Sequence, residues 1–203
     1  MLNAELSQVI RTDTRRHCEW CRQLLEGKNV NLRVMEKEDL PLFVEWVNEP
    51  EVFGEYNGLM QLSKSEAEKM LENPYELKYF IIEKKDGSKI GLIFHFYVLH
   101  PAGRQLEIGY ALVPSERGKG YCTEAIRIMV DYSFLSKDTM RVQACTDTGN
   151  LASQKVLEKT GFKREGVSRK DFFTRGKWTD DCLYGILREE WKEPRILTRT
   201  EKK

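Results

Sequence analysis

Glu107-Ile-Gly-Tyr-Ala-Leu-Val-Pro-Ser-Glu-Arg-Gly-Lys-Gly-Tyr-Cys-Thr-Glu-Ala125 is the stretch in which the fold is most readable. Its first half alternates. Over Gln105 to Val113, Leu106, Ile108, Tyr110 and Leu112 fall on one face of a strand, and Glu107, Gly109, Ala111 and Val113 on the other. A carboxylate thus shares a strand face with small residues. Pro114 ends the strand, and the turn Arg117-Gly118-Lys119-Gly120-Tyr121-Cys122 opens a helix with Cys122, Ala125, Ile126, Met129, Val130 and Ser133 as its buried stripe. The glycines let a ligand approach the backbone, and unpaired N–H groups at the helix start favour an anion such as pyrophosphate. Arg117 and Lys119 add positive charge. The same turn also reads as a solvated helix cap. As a dinucleotide fingerprint it fails, because Gly118-x-Gly120-x-x-Thr123 lacks the third glycine and follows a strand meander. As a Walker loop it lacks the four-residue spacer and the Lys-Ser/Thr ending.

Upstream, Asp86-Gly87 predicts a hairpin joining Tyr79–Lys84 to Ile90–Leu99, the second run apolar on both faces and so central in a sheet. Glu36 to Asn48 carries Leu40, Phe43, Val44 and Val47 as a one-sided helical stripe, stopped by Asn48 and Pro50. Glu51 to Gln61, with Gly54 and Gly58, reads as a loop that lines a site, before a second helix from about Ser63. Downstream come a strand at Met140–Thr146, a helix at Asn150–Thr160 closed by Gly161, and a hairpin over Gly166–Leu187 turning at Arg175-Gly176. Residues 1–28 read as an N-terminal helical extension, with Cys18, Cys21 and Leu25 at helical spacing, and 194–203 as a polar tail. One domain, 29–193, lies between them. Helices, a strand meander and then alternating elements predict an α/β fold of the α+β type with a mixed sheet.

A chain of 203 residues with 33 basic and 32 acidic side chains has a net charge of +1, so no overall field attracts nucleic acid or an anionic membrane. No apolar run approaches the roughly 18 residues of a membrane span, and the N-terminal stretch lacks the apolar block of a signal peptide. The expected location is the cytoplasm. Five cysteines with a single close pair fit reduced thiols better than a disulfide framework. His17-Cys18-x-x-Cys21 lacks a second ligand pair, so no metal is expected. His95 and His100 read as packing or surface groups, and Trp178, Tyr184 and Phe172-Phe173 as core and hairpin packing, with Trp178 also able to border a site.

Four segments in order carry a resemblance: Glu107–Pro114, Arg117–Ala125, Asn150-Leu-Ala-Ser-Gln-Lys-Val-Leu-Glu-Lys-Thr-Gly-Phe162, and Glu165-Gly166. Over about residues 29 to 190 the chain resembles the GNAT family of acyl-CoA-dependent N-acetyltransferases, and most of all the branch acetylating the N-terminal alanine or serine of ribosomal proteins. The resemblance implies a mostly antiparallel sheet splayed near its middle and flanked by helices, with acetyl-CoA as co-substrate. The pantetheine arm would pair along the strand ending Ala111-Leu112-Val113, and the pyrophosphate would rest on N–H groups of Arg117, Gly118, Lys119, Gly120, Tyr121 and Cys122. Cys122 stands where the family usually has glycine or alanine. Asn150 would cap its helix and bond the pantetheine. Leu157 stands where much of the family places a tyrosine that serves the leaving thiolate, and Ser153 is where the resembled branch carries a serine in that role.

To attack a thioester an amine must be neutral, which an α-amine near pKa 8 achieves more easily than a lysine near 10.4. A base helps in either case. Glu107 can take the proton directly or through water, partial burial raising its pKa, unless it is ion-paired; Glu165 and Asp171 are alternatives. Backbone N–H groups around Leu112 can polarise the carbonyl. Glu55, Tyr56 and Asp171 are the candidate acceptor-binding residues, with Glu51, Asp180 and Asp181 as further acids that draw a cationic amine. The branch resemblance favours a protein N-terminal α-amine. Polyamines, aminoglycosides or amino-sugars are the alternative acceptors, and a non-catalytic acyl-CoA-binding module is the alternative to an enzyme. An open groove between the Glu51–Gln61 loop and the Gly166–Leu187 hairpin would favour peptides, and a closed acidic pocket small amines. Both a monomer and a homodimer are compatible with the sequence.

Overall fold

The computed structural model describes residues 24–72, 77–100 and 103–192. The alternating run becomes strand β5 (Gly103–Leu112), paired antiparallel with β4 (Lys89–His100), which the Asp86-Gly87 turn joins to β3 (Leu77–Lys84). Gly87 sits at φ 86°, a left-handed value that glycine adopts without a Cβ clash. Strands β1 (Leu24–Glu26) and β2 (Val30–Val34) extend that side of the sheet. On the other side lie β6 (Arg141–Asp147), β7 (Lys163–Thr174) and β8 (Lys177–Leu187), and the order across the sheet is β1-β2-β3-β4-β5-β6-β8-β7.

Every neighbouring pair is antiparallel except β5 and β6. Those two run parallel and meet at only two positions, Leu106 opposite Val142 and Glu107 opposite Gln143, whereas β4 follows β5 for ten. Beyond Glu107 the sheet parts. The Val113 N–H bonds Ile90 O, so strand alternation turns the backbone groups of Tyr110 and Leu112 away from β4 and into the gap.

Helices cover both faces. Helices α1 (Leu40–Asn48), α2 (Pro50–Phe53) and α3 (Lys64–Glu72) lie on one face, where Leu40, Phe43 and Trp46 pack with Ile81, Leu92 and Ala111. Helices α4 (Tyr121–Ser136) and α5 (Leu151–Lys159) cover the other, where Ala125, Ile126, Met129 and Leu157 pack with Leu106, Ile108 and Leu112. Strand β4 serves both cores. Its register against β3 jumps from Ile82–Gly91 to Glu83–Lys89, leaving Ile90 as a bulged extra residue that points to the α4 side while Leu92 points to the α1 side. A buried ion pair, Arg33 with Asp39 at 2.8 Å, backed by Lys89 at 2.6 Å, ties the turn before α1 to the sheet. Burial alone would raise the Asp39 carboxyl, but the hydrogen bonds from Arg33 and Lys89 hold it well below the usual carboxylate range.

Two expectations are corrected. Leu25 lies on a strand, not a helix: Gly27 turns the chain back so that Leu24–Glu26 pairs with β2, and the Glu124 carboxylate accepts the Asn29 N–H at 2.7 Å to hold that turn on α4. A Cβ at Gly27 would fall 2.4 Å from Glu124 and 2.6 Å from Ile128, so close approach to α4 requires glycine there. His17, Cys18 and Cys21 lie outside the described residues. The second correction concerns aromatic rings: Phe172, Phe173 and Trp178 are 55%, 59% and 57% exposed rather than core, because β7 is the outermost strand and Trp178 lies on β8 beyond its pairing with β6. Phe173 and Trp178 do pack ring to ring across the hairpin as expected. Tyr184 on β8 is fully buried, as is His95 on β4, in ring contact with Phe80 and Tyr132.

Candidate active site

Where β5 and β6 part, a cleft of about 620 Å³ opens, lined by Ile108–Leu112, Arg117, Gly118, Cys122, Asn150 and Ser153. Glu107, Phe94, Phe96, Cys145, Asp147 and Asp181 line it too, and Val52–Gly58, Phe172 and Thr174 form the rim. Gly109 has no room for a side chain, because a Cβ there would fall 2.3 Å from the ring of Phe94, its partner on β4.

Between β5 and α4, Gly118 and Gly120 take φ values of 74° and 85°, left-handed turns that bring the chain round to the start of α4. Gly120 caps α4 without a side chain, so the N–H groups of the first turn, Tyr121, Cys122 and Thr123, have no acceptor within the helix. That concentration of donors at a positive helix end suits a phosphate oxygen. Arg117 departs from the expectation: its N–H bonds Pro114 O at 3.3 Å, and its guanidinium donates to Leu112 O at 3.1 Å, Glu51 O at 2.6 Å and Val52 O at 2.7 Å. Its charge therefore staples α2 to the end of β5. Lys119 likewise pairs with Glu116 at 3.0 Å, and Val113 and Tyr121 pack against the core, so these three side chains do not line the cleft. The Cys122 thiol does line it, and burial pushes its pKa up to about 12.

Asn150 caps α5 as expected, its Oδ1 accepting the Ser153 N–H at 3.1 Å. Ser153 Oγ lies 2.8 Å from the Tyr110 hydroxyl, a partner that strand alternation assigns only to the core face. Leu157 is fully buried, and its position offers the cleft no hydroxyl.

On β5 itself, burial raises the Glu107 pKa, the Gln143 amide donating at 2.8 Å opposes that, and nearby Asp171 raises it again. The Cys145 thiol is 3.9 Å from the same carboxylate. Asp181 is 7% exposed, and burial, followed by the charges of Asp147, Asp171 and Glu107, lifts it to about 6. Glu165 is displaced from the set of possible bases, because Arg141 grips both its oxygens at 2.5 Å. Asp171 is exposed on a bulge of β7, where pairing jumps from Ser168 to Phe172, and its charge is felt at Glu107, Cys145 and Asp181. Asp180 faces the bulge and accepts the Lys170 N–H at 2.9 Å. Glu55 and Tyr56 lie on the rim, where Tyr56 comes close to Gly149. The hairpin tip reaches that rim too: the Arg175 guanidinium donates to Gly54 O at 3.1 Å and approaches Asn57 O at 3.4 Å and Pro50 O at 3.5 Å. The mouth is therefore bridged between the early loop and the late hairpin. Sequence reasoning missed Tyr110, Asp147 and Arg175. Strand alternation assigns Tyr110 to the core, and neither an acid after a strand nor an arginine in a turn is distinctive.

Among the described residues no group of three or more His, Cys, Asp and Glu side chains converges as metal ligands, and no helix is long and apolar enough to cross a membrane. Over residues 29–163 the chain matches the family described as acetyltransferase (GNAT) domain. It is 31% identical over 175 residues to the probable N-acetyltransferase YjcK of Bacillus subtilis, covering 81% of this chain and 97% of that protein. Among solved structures, the spermidine N-acetyltransferase from Vibrio cholerae in complex with CoA and spermine superposes with a TM-score of 0.71 at 23% identity, covering 80% of this chain and 97% of that one. The ribosomal-protein-S5-alanine acetyltransferase from Vibrio fischeri superposes with a TM-score of 0.69 at 21% identity, covering 84% and 99%. These two act on different amines and share the fold alone with this chain. The match over well more than half the sequence, on a sheet parted beside a glycine-capped helix, shows that the chain belongs to the GNAT family of acyl-CoA-dependent N-acetyltransferases.

Proposed function

We propose that the protein moves an acetyl group from acetyl-CoA to a primary amine of a small polycationic acceptor. The observation carrying this reading is the acidic wall of the cleft, Glu107, Asp147 and Asp181 with Asp171 beside them, under a mouth that Arg175 bridges. Several carboxylates in a partly closed cleft suit several ammonium groups better than the single charge of a peptide N-terminus. In this reading pantetheine pairs with the backbone of Tyr110 and Leu112, and pyrophosphate rests on the N–H groups from Gly118 to Cys122. The acids that attract an ammonium ion also stabilise it in its unreactive form, so a base must take its proton at the point of attack. In this reading Glu107 takes that proton, directly or through water. The amine lone pair then attacks the carbonyl carbon, the carbon–sulfur bond breaks with its electron pair left on sulfur, and Ser153 offers a hydrogen bond to the departing thiolate.

A second reading, a protein N-terminal α-amine, is favoured by the resembled branch and by the exposed Phe172, Phe173 and Trp178 at and beside the mouth, which offer apolar contact to a peptide. Thiol release from acetyl-CoA, measured with spermidine, spermine and short peptides beginning with serine or alanine, separates the two. Turnover with the polyamines and not the peptides supports the first reading, the reverse supports the second, and acetyl-CoA binding without thiol release for any amine points to a binding module. Binding itself is read by thermal shift. At 100 times Kd, acetyl-CoA should stabilise the fold by about 2.7 kcal/mol.

A further inference from the structure

From the contact between two hydroxyls, we infer that Tyr110 is a positioning residue for the leaving thiolate: its phenol donates to Ser153 Oγ and leaves the Ser153 proton free to point at sulfur. The inference rests on the proposed role of Ser153 and adds a residue to it. A serine in the first turn of a helix ordinarily turns its hydroxyl back to its own backbone. Here Asn150 already satisfies the Ser153 N–H, and the Ser153 hydroxyl instead meets Tyr110 at 2.8 Å across the cleft. Tyr110 stands on the parted stretch of β5, so its backbone and its phenol both face the cleft beside α5. Burial favours the neutral phenol, which keeps its proton available to donate. A hydroxyl that accepts a hydrogen bond is polarised into a better donor, so the chain from Tyr110 through Ser153 to sulfur strengthens as negative charge develops there. No net proton leaves Tyr110 or Ser153. The amine proton goes to Glu107, and the thiolate takes its proton from solvent on release. With Leu157 buried, the strand supplies through Ser153 a phenol that the helix lacks.

The test is a double-mutant cycle, Tyr110→Phe and Ser153→Ala alone and together, measured as thiol release at saturating spermine, or at a saturating serine-initial peptide if that is the amine turned over. Tyr110→Phe should lower kcat by about tenfold, the worth of one hydrogen bond, with KM for acetyl-CoA changed by less than about twofold. The double variant should be no slower than Ser153→Ala, because Tyr110 acts only through Ser153. With the selenium analogue of acetyl-CoA, whose selenolate leaves with less help, the Tyr110→Phe defect should shrink towards wild type, whereas a packing defect would persist. Full activity in Tyr110→Phe, multiplied losses in the double variant, or an unchanged defect with the selenium analogue overturns the inference. If Ser153→Ala is itself fully active, the proposed role of Ser153 falls and this inference with it. If only Tyr110→Phe is active, Ser153 stands alone. A thermal midpoint within a few degrees of wild type shows that removing one oxygen has left the fold intact.

Discussion

At Glu107, burial and Asp171 favour the protonated acid while the Gln143 amide favours the carboxylate, and burial is the largest influence. A base works only when ionised, so the proposed chemistry has a rate that falls as pH falls through a Glu107 pKa lying above the ordinary carboxylate value. Glu107→Gln should lower kcat by about a hundredfold or more and flatten that acidic limb, as measured by kcat against pH. A Gln variant that keeps the limb would move the base to Asp181, whose carboxyl lies at about 6. Glu107 was legible as a candidate because strand alternation, a local fact, sets it on a face with small residues, and Asn150 and Ser153 because their segment resembles a family motif. The conversion of Glu165 from candidate base to ion-pair partner was not, since Arg141 lies on a different strand, 24 residues earlier in the chain.

Elements are where the sequence speaks most plainly. The strand–turn–strand of β3 and β4, the alternation of β5, the glycine turn into α4 and the closure of α5 at Gly161 all follow from patterns a few residues long. The start of α4 carries its own prediction. Gly120 holds φ at 85° at the cap, so Gly120→Ala forces a Cβ into the left-handed region at a cost of about 1–2 kcal/mol. For a chain of this size that lowers the thermal midpoint by about 2–8 °C. The distortion also misaims the N–H groups proposed to hold pyrophosphate, so KM for acetyl-CoA should rise severalfold while kcat holds. An unchanged KM would leave the turn as a helix cap and nothing more. Strand β1 escaped the sequence reading because three residues carry no period, and only β2 and the Glu124 carboxylate hold them in the sheet.

On the scale of the whole molecule, Arg175 joins the last hairpin to the first site loop, 121 residues away at Gly54. It does so from a strained backbone, φ 48°, which an arginine adopts only under the hold of its surroundings. Arg175→Ala should loosen the mouth, raising KM for the acceptor severalfold with KM for acetyl-CoA unchanged. Arg175→Gly should do the same while relieving the backbone, leaving stability at or about 1 kcal/mol above wild type in a denaturant titration. An acceptor KM equal to that of wild type in both variants would mean that the bridge does not shape acceptor entry. Hydrophobic period, turn chemistry and capping act within a few residues, so they indicated most of the strands and helices and the glycine turn without any knowledge of packing, and the order of a few short motifs carried the family resemblance. The parting of β5 from β6, the meeting of Tyr110 with Ser153 and the gathering of Asp147, Asp171 and Asp181 around Glu107 join residues tens of positions apart on different elements. Those depend on how two cores, one on each face of the sheet, set the elements against each other, and no local pattern encodes that geometry.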